Sequence, residues 1–217
     1  FARRVLELVD DTSLPLLERV KFAGIMGMID DEFVMKRMGG LHQKIKKKPQ
    51  HIGYDGHTPV EELAMCWKEL EGQTRILDDL IEDTLRPALA AEGIHLKDYQ
   101  ALTKRDQNFL ENHFKKKVLP ILTPLAVDAA HPFPFISNLS LNLLVHVRFP
   151  GQEGRSSLTR IKVPTGENLP RFIGLPGRNH FVPVEEVLRN NLDMLLPEME
   201  VISVYIFRVT RNANTER

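Results

Sequence analysis

Between Pro120 and Pro150 the chain reads PILTPLAVDAAHPFPFISNLSLNLLVHVRFP, and no other stretch restricts the fold as much. Pro120 and Pro124 stop the Lys-rich helix before them, because the proline ring fixes φ and removes a backbone donor. His131 to Phe135, HPFPF, must run extended, with two aromatic rings on a stiff backbone. From Leu139 to Phe149 apolar and polar residues alternate. Leu141, Leu143, Val145, Val147 and Phe149 fall on one face and Asn142, His146 and Arg148 mostly on the other. That period predicts a half-buried strand.

Upstream of this run the pattern is helical. Ala2 to Val9 reads as a helix, and Ser13, just before Pro15, is placed to cap the next one. From Leu16 to about Ile45 the apolar residues are too dense for a narrow stripe, so this helix is expected to be buried on more than one side. Gly24, Gly27 and Gly39-Gly40 allow close approach of a neighbour or mark bends, and a break is expected near Gly39. Lys46 to Gly56, KKKPQHIGYDG, has loop chemistry. Thr58-Pro59-Val60-Glu61 is a helix start with a capping box and proline in the first turn. Val60, Leu63, Trp67, Leu70, Thr74, Leu77, Ile81 and Thr84 then alternate spacings of three and four. They predict one long helix to about Ala91 whose seam, with Trp67 and the methionines, forms the core of an antiparallel bundle. Gly93 ends it.

Ile94 to Thr103 reads as a linker, and Thr103 with Asp106 caps a helix that runs through Lys117. The texture beyond is β. Leu158 to Val163, Arg171 to Gly174, His180 to Val182 and Met199 to Thr210 read as strands, Gly151 to Ser157 as a hairpin loop and Pro183 to Asn191 as a short helix. The expected class is α+β: an all-α antiparallel helical bundle over residues 1–93, then a mixed, mainly antiparallel β-sheet domain with helices over 94–217.

Composition narrows the function classes. Lys+Arg 29 balances Asp+Glu 29, so attraction for a polyanion has to come from local patches. The single cysteine, Cys66, excludes an internal disulfide and a thiolate zinc cluster. No apolar run approaches the ~18 residues of a membrane span. The chain opens inside a helical pattern, as expected of a piece of a longer protein.

TPLAVDAAHPFPFISNLSLNL, RIKVP from Arg160 to Pro164, PRFIGLP from Pro170 to Pro176 and FRVTRNA from Phe207 to Ala213 resemble the head domain of bacterial polyphosphate kinases. FARRVL from Phe1 and LLERVKFAGIM from Leu16 resemble that family's N-terminal helical domain. The resemblance implies an ATP–polyphosphate phosphotransferase. It works reversibly through a phosphohistidine, with Mg²⁺ accompanying ATP, and its histidine lies in two C-terminal domains absent from this chain. The chain by itself is therefore expected to transfer no phosphate and to bind no cofactor. The resemblance also implies ATP/ADP and polyphosphate as partners, self-association as a homodimer or higher, no specific nucleic acid, and a cytoplasmic or membrane-peripheral location. It carries one ligand position here. In the family an Asn of a Ser-Asn-Leu-Asp-Glu-Phe stretch contacts adenine. Aligned on Asp31-Glu32-Phe33, that position is Ile29, with Asp30 in place of Leu. Asn214 stands where the family usually has Asp.

The residues themselves agree on what is missing: the sequence holds no Gly-rich P-loop and no HExxH or CxxC spacing. His131 suits backbone hydrogen bonding better than catalysis, and His146 reads as a strand residue. Asp30-Asp31-Glu32 is a possible acid/base or metal cluster. Adjacent helical carboxylates diverge by about 100°, however, which favours a solvated or ion-paired turn. Lys44, Lys46, Lys47 and Lys48, and Lys115, Lys116 and Lys117, read either as solvated helix ends or as guides for a polyanion. Arg208 and Arg211 are further candidates for anion contact, with strand-edge solubility as the alternative. The competing function is a non-catalytic dimerisation or polyanion-binding module.

Overall fold

Thr58 starts the longest helix as its sequence requires. In the computed structural model, which describes residues 1–127, 134–151, 156–166 and 169–212, Thr58 Oγ1 accepts the Glu61 amide at 3.3 Å and Glu61 Oε2 accepts the Thr58 amide at 2.8 Å. From this cap α4 runs over Pro59–Asp79. A widened, π-type turn follows over Leu80–Leu85, and then α5, Arg86–Ala91. Pro87 accounts for the widening, since its ring removes a donor and crowds the carbonyl one turn back. Gly93, at φ 75°, ends the run in the left-handed conformation.

The other helices of this half are α1 (Ala2–Asp10), α2 (Leu16–Phe33) and α3 (Gly39–Lys47). The break expected near Gly39 is a second π-type turn over Val34–Met38. Ser13 does not cap α2. The cap position is Pro15, and the Ser13 amide is turned back to Asp11 Oδ1 at 2.9 Å. Arg19 secures the join instead, its Nε donating to the Val9 carbonyl at 2.8 Å, where a cation also suits the C-terminal end of α1. The helices close over two small clusters. One joins Val5, Leu6 and Met26, and the other Val9, Ala23 and Leu85, with Leu77 packed against both.

The seam of α4 keeps part of the expected line and departs from it elsewhere. Trp67 is 53% exposed, and Met28 and Met65 are exposed too, whereas Met26 and Met38 are buried. Leu70 turns inward and Leu77 and Ile81 pack on the core as expected, while Gln73 and Leu85, each one residue off the expected line, are buried too. Gln73 occupies a position that the apolar pattern misses, its Nε2 donating to Glu69 Oε1 at 2.8 Å.

The second half contains α6 (Lys104–His113), capped by Thr103 as expected, and a π-type turn over Phe114–Val118. Its larger sheet has strand order β2 (Leu125–Val127), β4 (Ser156–Lys162), β3 (Leu141–Arg148) and β7 (Glu200–Arg208), all antiparallel. A bulge lies between His146 and Val147, leaving Ile202 of β7 unmatched. The smaller sheet has order β1 (His95–Leu96), β6 (His180–Pro183) and β5 (Phe172–Gly174). Since β1 pairs with β6 in parallel, the stretch read as a linker is built into the second half, and Tyr99 beside it is buried. Helices α7 (Val184–Arg189) and α8 (Leu192–Leu195) complete it. Leu143, Val145, Val147 and Ile161 share one core with Leu110, Phe114, Val118, Val187 and Leu188. Asn142 departs from the predicted pattern: it lies off this core face and is nonetheless 0% exposed. The chain divides into two units, Ile94–Val209 and Phe1–Gly93, the latter joined by the segment that starts at Thr210. Within the helical unit, Asn212 Nδ2 donates to the Gly39 carbonyl at 3.2 Å. A Cβ on Gly39 would lie 2.5 Å from Asn212 Oδ1, so a larger residue there has to displace the Asn212 side chain.

Two stability predictions follow from the caps. Thr58→Ala removes the reciprocal cap of α4 and is expected to cost about 1 kcal/mol, measurable by urea denaturation. Asp106 accepts from Thr103 Oγ1 at 2.8 Å and pairs with Arg178. The Thr103 hydrogen bond, followed by Arg178, holds its carboxyl below the usual carboxylate range. A depressed folded value means that the stabilisation is complete above the unfolded pKa of about 3.9 and is lost as pH falls through the folded value. Asp106→Asn is therefore expected to be less stable than the parent at pH 7, with the gap closing in acid below about pH 4. A gap that stays constant with pH contradicts this.

Candidate functional site

Ile29, Asp30 and Phe33 come from the last turns of α2, and Glu62, Met65, Cys66, Glu69, Leu70 and Gln73 from α4. With the start of α1 they line a cleft of about 440 Å³. Ile29 takes its place because it packs against the Val5, Leu6 and Met26 cluster, leaving the rest of its side chain to the cleft wall. The walls are apolar and the polar groups are mostly carboxylates. Burial, reinforced by Asp31, pushes the Asp30 carboxyl up. Glu69 is held low by the Gln73 amide and then by Arg3, whose guanidinium grips both carboxylate oxygens at 2.9 and 2.8 Å. Burial and then Glu62 push the Cys66 thiol up, against the pull of Arg37, so it is no activated nucleophile. Such a cleft suits a flat, uncharged group bearing an amino donor that Asp30 can accept. No Lys, Arg or His is among its described lining residues, so it offers phosphate no cationic side chain.

A second cleft in the same unit, of about 720 Å³, has the opposite character. Lys44, Lys47 and Lys48, at the end of α3, line it with Arg37 and His51. Lys46 is not among its lining residues. Glu62 borders both clefts and pairs with Arg37. The lysines also suit the negative end of the α3 dipole.

The remaining candidates are dispersed. Lys115, Lys116 and Lys117 are exposed on the π-type turn, between the buried Phe114 and Val118. Arg208 ends β7 and is exposed, and Arg211 is half-buried in the segment beyond it. His146 is half-buried on β3, opposite Leu158 and Ser203. Of the acidic triplet, Glu32 pairs with Lys36 one turn on. Among the described residues no three His, Cys, Asp or Glu side chains converge on a point that could hold a metal, so the residues present do not fit a resident Mg²⁺. His131 and Asn214 lie outside the described residues. The sequence pattern also misses the contributions of Glu62, Cys66 and Gln73. Their signal is a second 3-4 spacing on α4, one residue away from the apolar one.

The family model described as polyphosphate kinase N-terminal domain matches residues 1–97, and that described as polyphosphate kinase middle domain matches 105–217. Polyphosphate kinases of Thermosynechococcus vestitus and Mycobacterium avium are each 41% identical to the chain over its entire length. The chain spans 30% and 31% of those relatives. The crystal structure of polyphosphate kinase from Porphyromonas gingivalis superposes on 100% of the chain and 32% of its own, with a TM-score of 0.86 at 24% identity, a likeness of fold. Matched by both domain models in order, the chain belongs to the polyphosphate kinase family, as its N-terminal and middle domains.

Proposed function

We propose that this chain is the nucleotide-side and head region of an ATP–polyphosphate phosphotransferase, with the Ile29 cleft receiving the base of ATP or ADP. The observation that carries the reading is the coincidence of two independent placements. The family's adenine-contacting position aligns with Ile29, and Ile29 lines an apolar cleft in which Asp30 can accept an amino group and no described lining side chain is a cation for phosphate. On this reading Mg²⁺ arrives with the phosphates of ATP, and the phosphohistidine is supplied by domains beyond those matched here. Self-association as a homodimer or higher and action in the cytoplasm or at a membrane periphery belong to the same proposal. Among the described residues no helix is long and apolar enough to cross a membrane.

Isoleucine offers the base only apolar contact, whereas asparagine both donates and accepts. A recovered amide partner in a buried site corresponds to ~1–3 kcal/mol, roughly one to two decades in affinity. In the full-length protein Ile29→Asn is therefore expected to tighten ATP more than GTP in calorimetric titration. Unchanged affinities for both, in a folded variant, reject the placement.

A second reading, polyanion binding outside catalysis, is favoured by the convergence of Lys44, Lys47 and Lys48 on one cleft. Polyphosphate binding should then weaken steeply with salt, because each neutralised phosphate releases a counter-ion. Replacing these three lysines by Gln is expected to flatten the slope, while replacing Lys115, Lys116 and Lys117 tests the other cluster in the same assay. A slope unchanged in both triple variants returns the lysines to solvated helix ends.

A further inference from the structure

The larger sheet buries a polar face where its strand pattern would put water. Leu143, Val145, Val147 and Ile161 face the core, and the residues between them turn the other way. There Asn142 lies opposite Lys162, and Leu144 opposite Arg160, so Asn142, Arg160 and Lys162 share one face. Arg160 is only 7% exposed. Its Nε donates to Asn142 Oδ1 at 2.8 Å, and Asn142 Nδ2 donates to the Ser140 carbonyl at 2.7 Å and to Ser140 Oγ at 3.1 Å. The amide is thereby locked with its oxygen toward the guanidinium, which is aimed by a neutral group. Burial depresses the Arg160 pKa, and among the described residues no carboxylate acts on it. An arginine stays charged under these conditions. A buried charge without a counter-ion is a costly arrangement in a folded protein, and one that an anionic ligand relieves.

Arg160 and Lys162 line a cleft of about 650 Å³ together with Thr123, Ser140 and Thr165, and no Asp or Glu is among its described lining residues. Two cations and the Thr123 and Thr165 hydroxyls, with no acid among the described lining residues, form a donor set matched to a tetrahedral oxyanion, with the planar guanidinium fork suited to two of its oxygens. We propose that this cleft binds a phosphoryl group, either free phosphate or the end of an oligophosphate. Asn142 is a positioning residue for Arg160, and Lys162 is the second charge. The site differs from the lysine cleft of the helical unit in having its principal cation buried and oriented. It is also independent of the Ile29 cleft, since neither its residues nor its ligand depend on a nucleotide base.

The test is calorimetric titration of the chain with inorganic phosphate and, separately, tripolyphosphate. Saturable binding is expected, weakened at least about tenfold by Arg160→Met, which keeps much of the stem and removes the charge, and about threefold or more by Lys162→Gln. Equal affinity for the two ligands identifies a site for single phosphate, and tighter tripolyphosphate identifies an oligophosphate end. Lys162 is exposed, so Lys162→Gln serves on its own if Arg160→Met fails to fold. Absence of saturable binding by either ligand overturns the proposal. So does an affinity that Lys162→Gln leaves unchanged, which would place the anion elsewhere on the chain.

Discussion

The apolar face of β3 against the end of α6 is the contact on which the second half of the molecule depends. Leu143, Val145 and Val147 supply one side of it, Phe114 and Val118 the other, and all five are fully buried. Phe114 and Val118, four residues apart on the π-type turn after α6, share its inner face and leave Lys115, Lys116 and Lys117 outside. With β3 held centrally, β4 and β7 pair on its two sides and β2 extends the sheet beyond β4. The opposite face of β3 and β4 is then free to carry polar groups without endangering the core. Asn142 and Arg160 occupy it.

The helical half achieves its packing differently. Its clusters are small, and its helices are tied by particular polar contacts: Arg19 on the Val9 carbonyl, Arg3 on Glu69, Asn212 on Gly39. Small cores between long helices leave grooves where opposing side chains fail to meet, and the Ile29 cleft and the lysine cleft lie along α4. Their contrasting chemistry comes from which neighbour faces α4. Toward the end of α2 it meets Ile29 and Phe33, and toward the end of α3 it meets lysines. Surface ion pairs such as Glu32–Lys36 and Glu71–Arg75 add little to stability.

Cations with partners and cations without them sort the charged residues better than their number does. Arg171 meets Glu185 and Arg178 meets Asp106, each a cation beside a carboxylate that is mostly buried. Arg160 is itself buried and meets an amide. The net charge of +0 conceals this distinction, since a sum over the chain is blind to which charges lie within reach of one another.

Local chemistry was legible in the sequence wherever the answer lies within a few residues. The reciprocal cap at Thr58, the cap at Thr103, the stop at Gly93, the alternation of β3 and the order of helical and β-rich halves all follow from propensity and spacing. So did the family, because motifs in register survive as strings. The angle at which α4 meets its neighbours was not legible. A helical period fixes which residues share a stripe, and only the partner helices decide which stripe is covered, so Trp67 is exposed and Gln73 buried. The pairing of β1 with β6, 85 positions apart by the partners His95 and His180, likewise has no local signal. Alternation likewise placed Asn142 on the face away from the core but could not say that this face is covered. Tertiary structure decided that, by closing neighbouring segments over it, and so turned two ordinary polar strand residues into a buried, oriented cation.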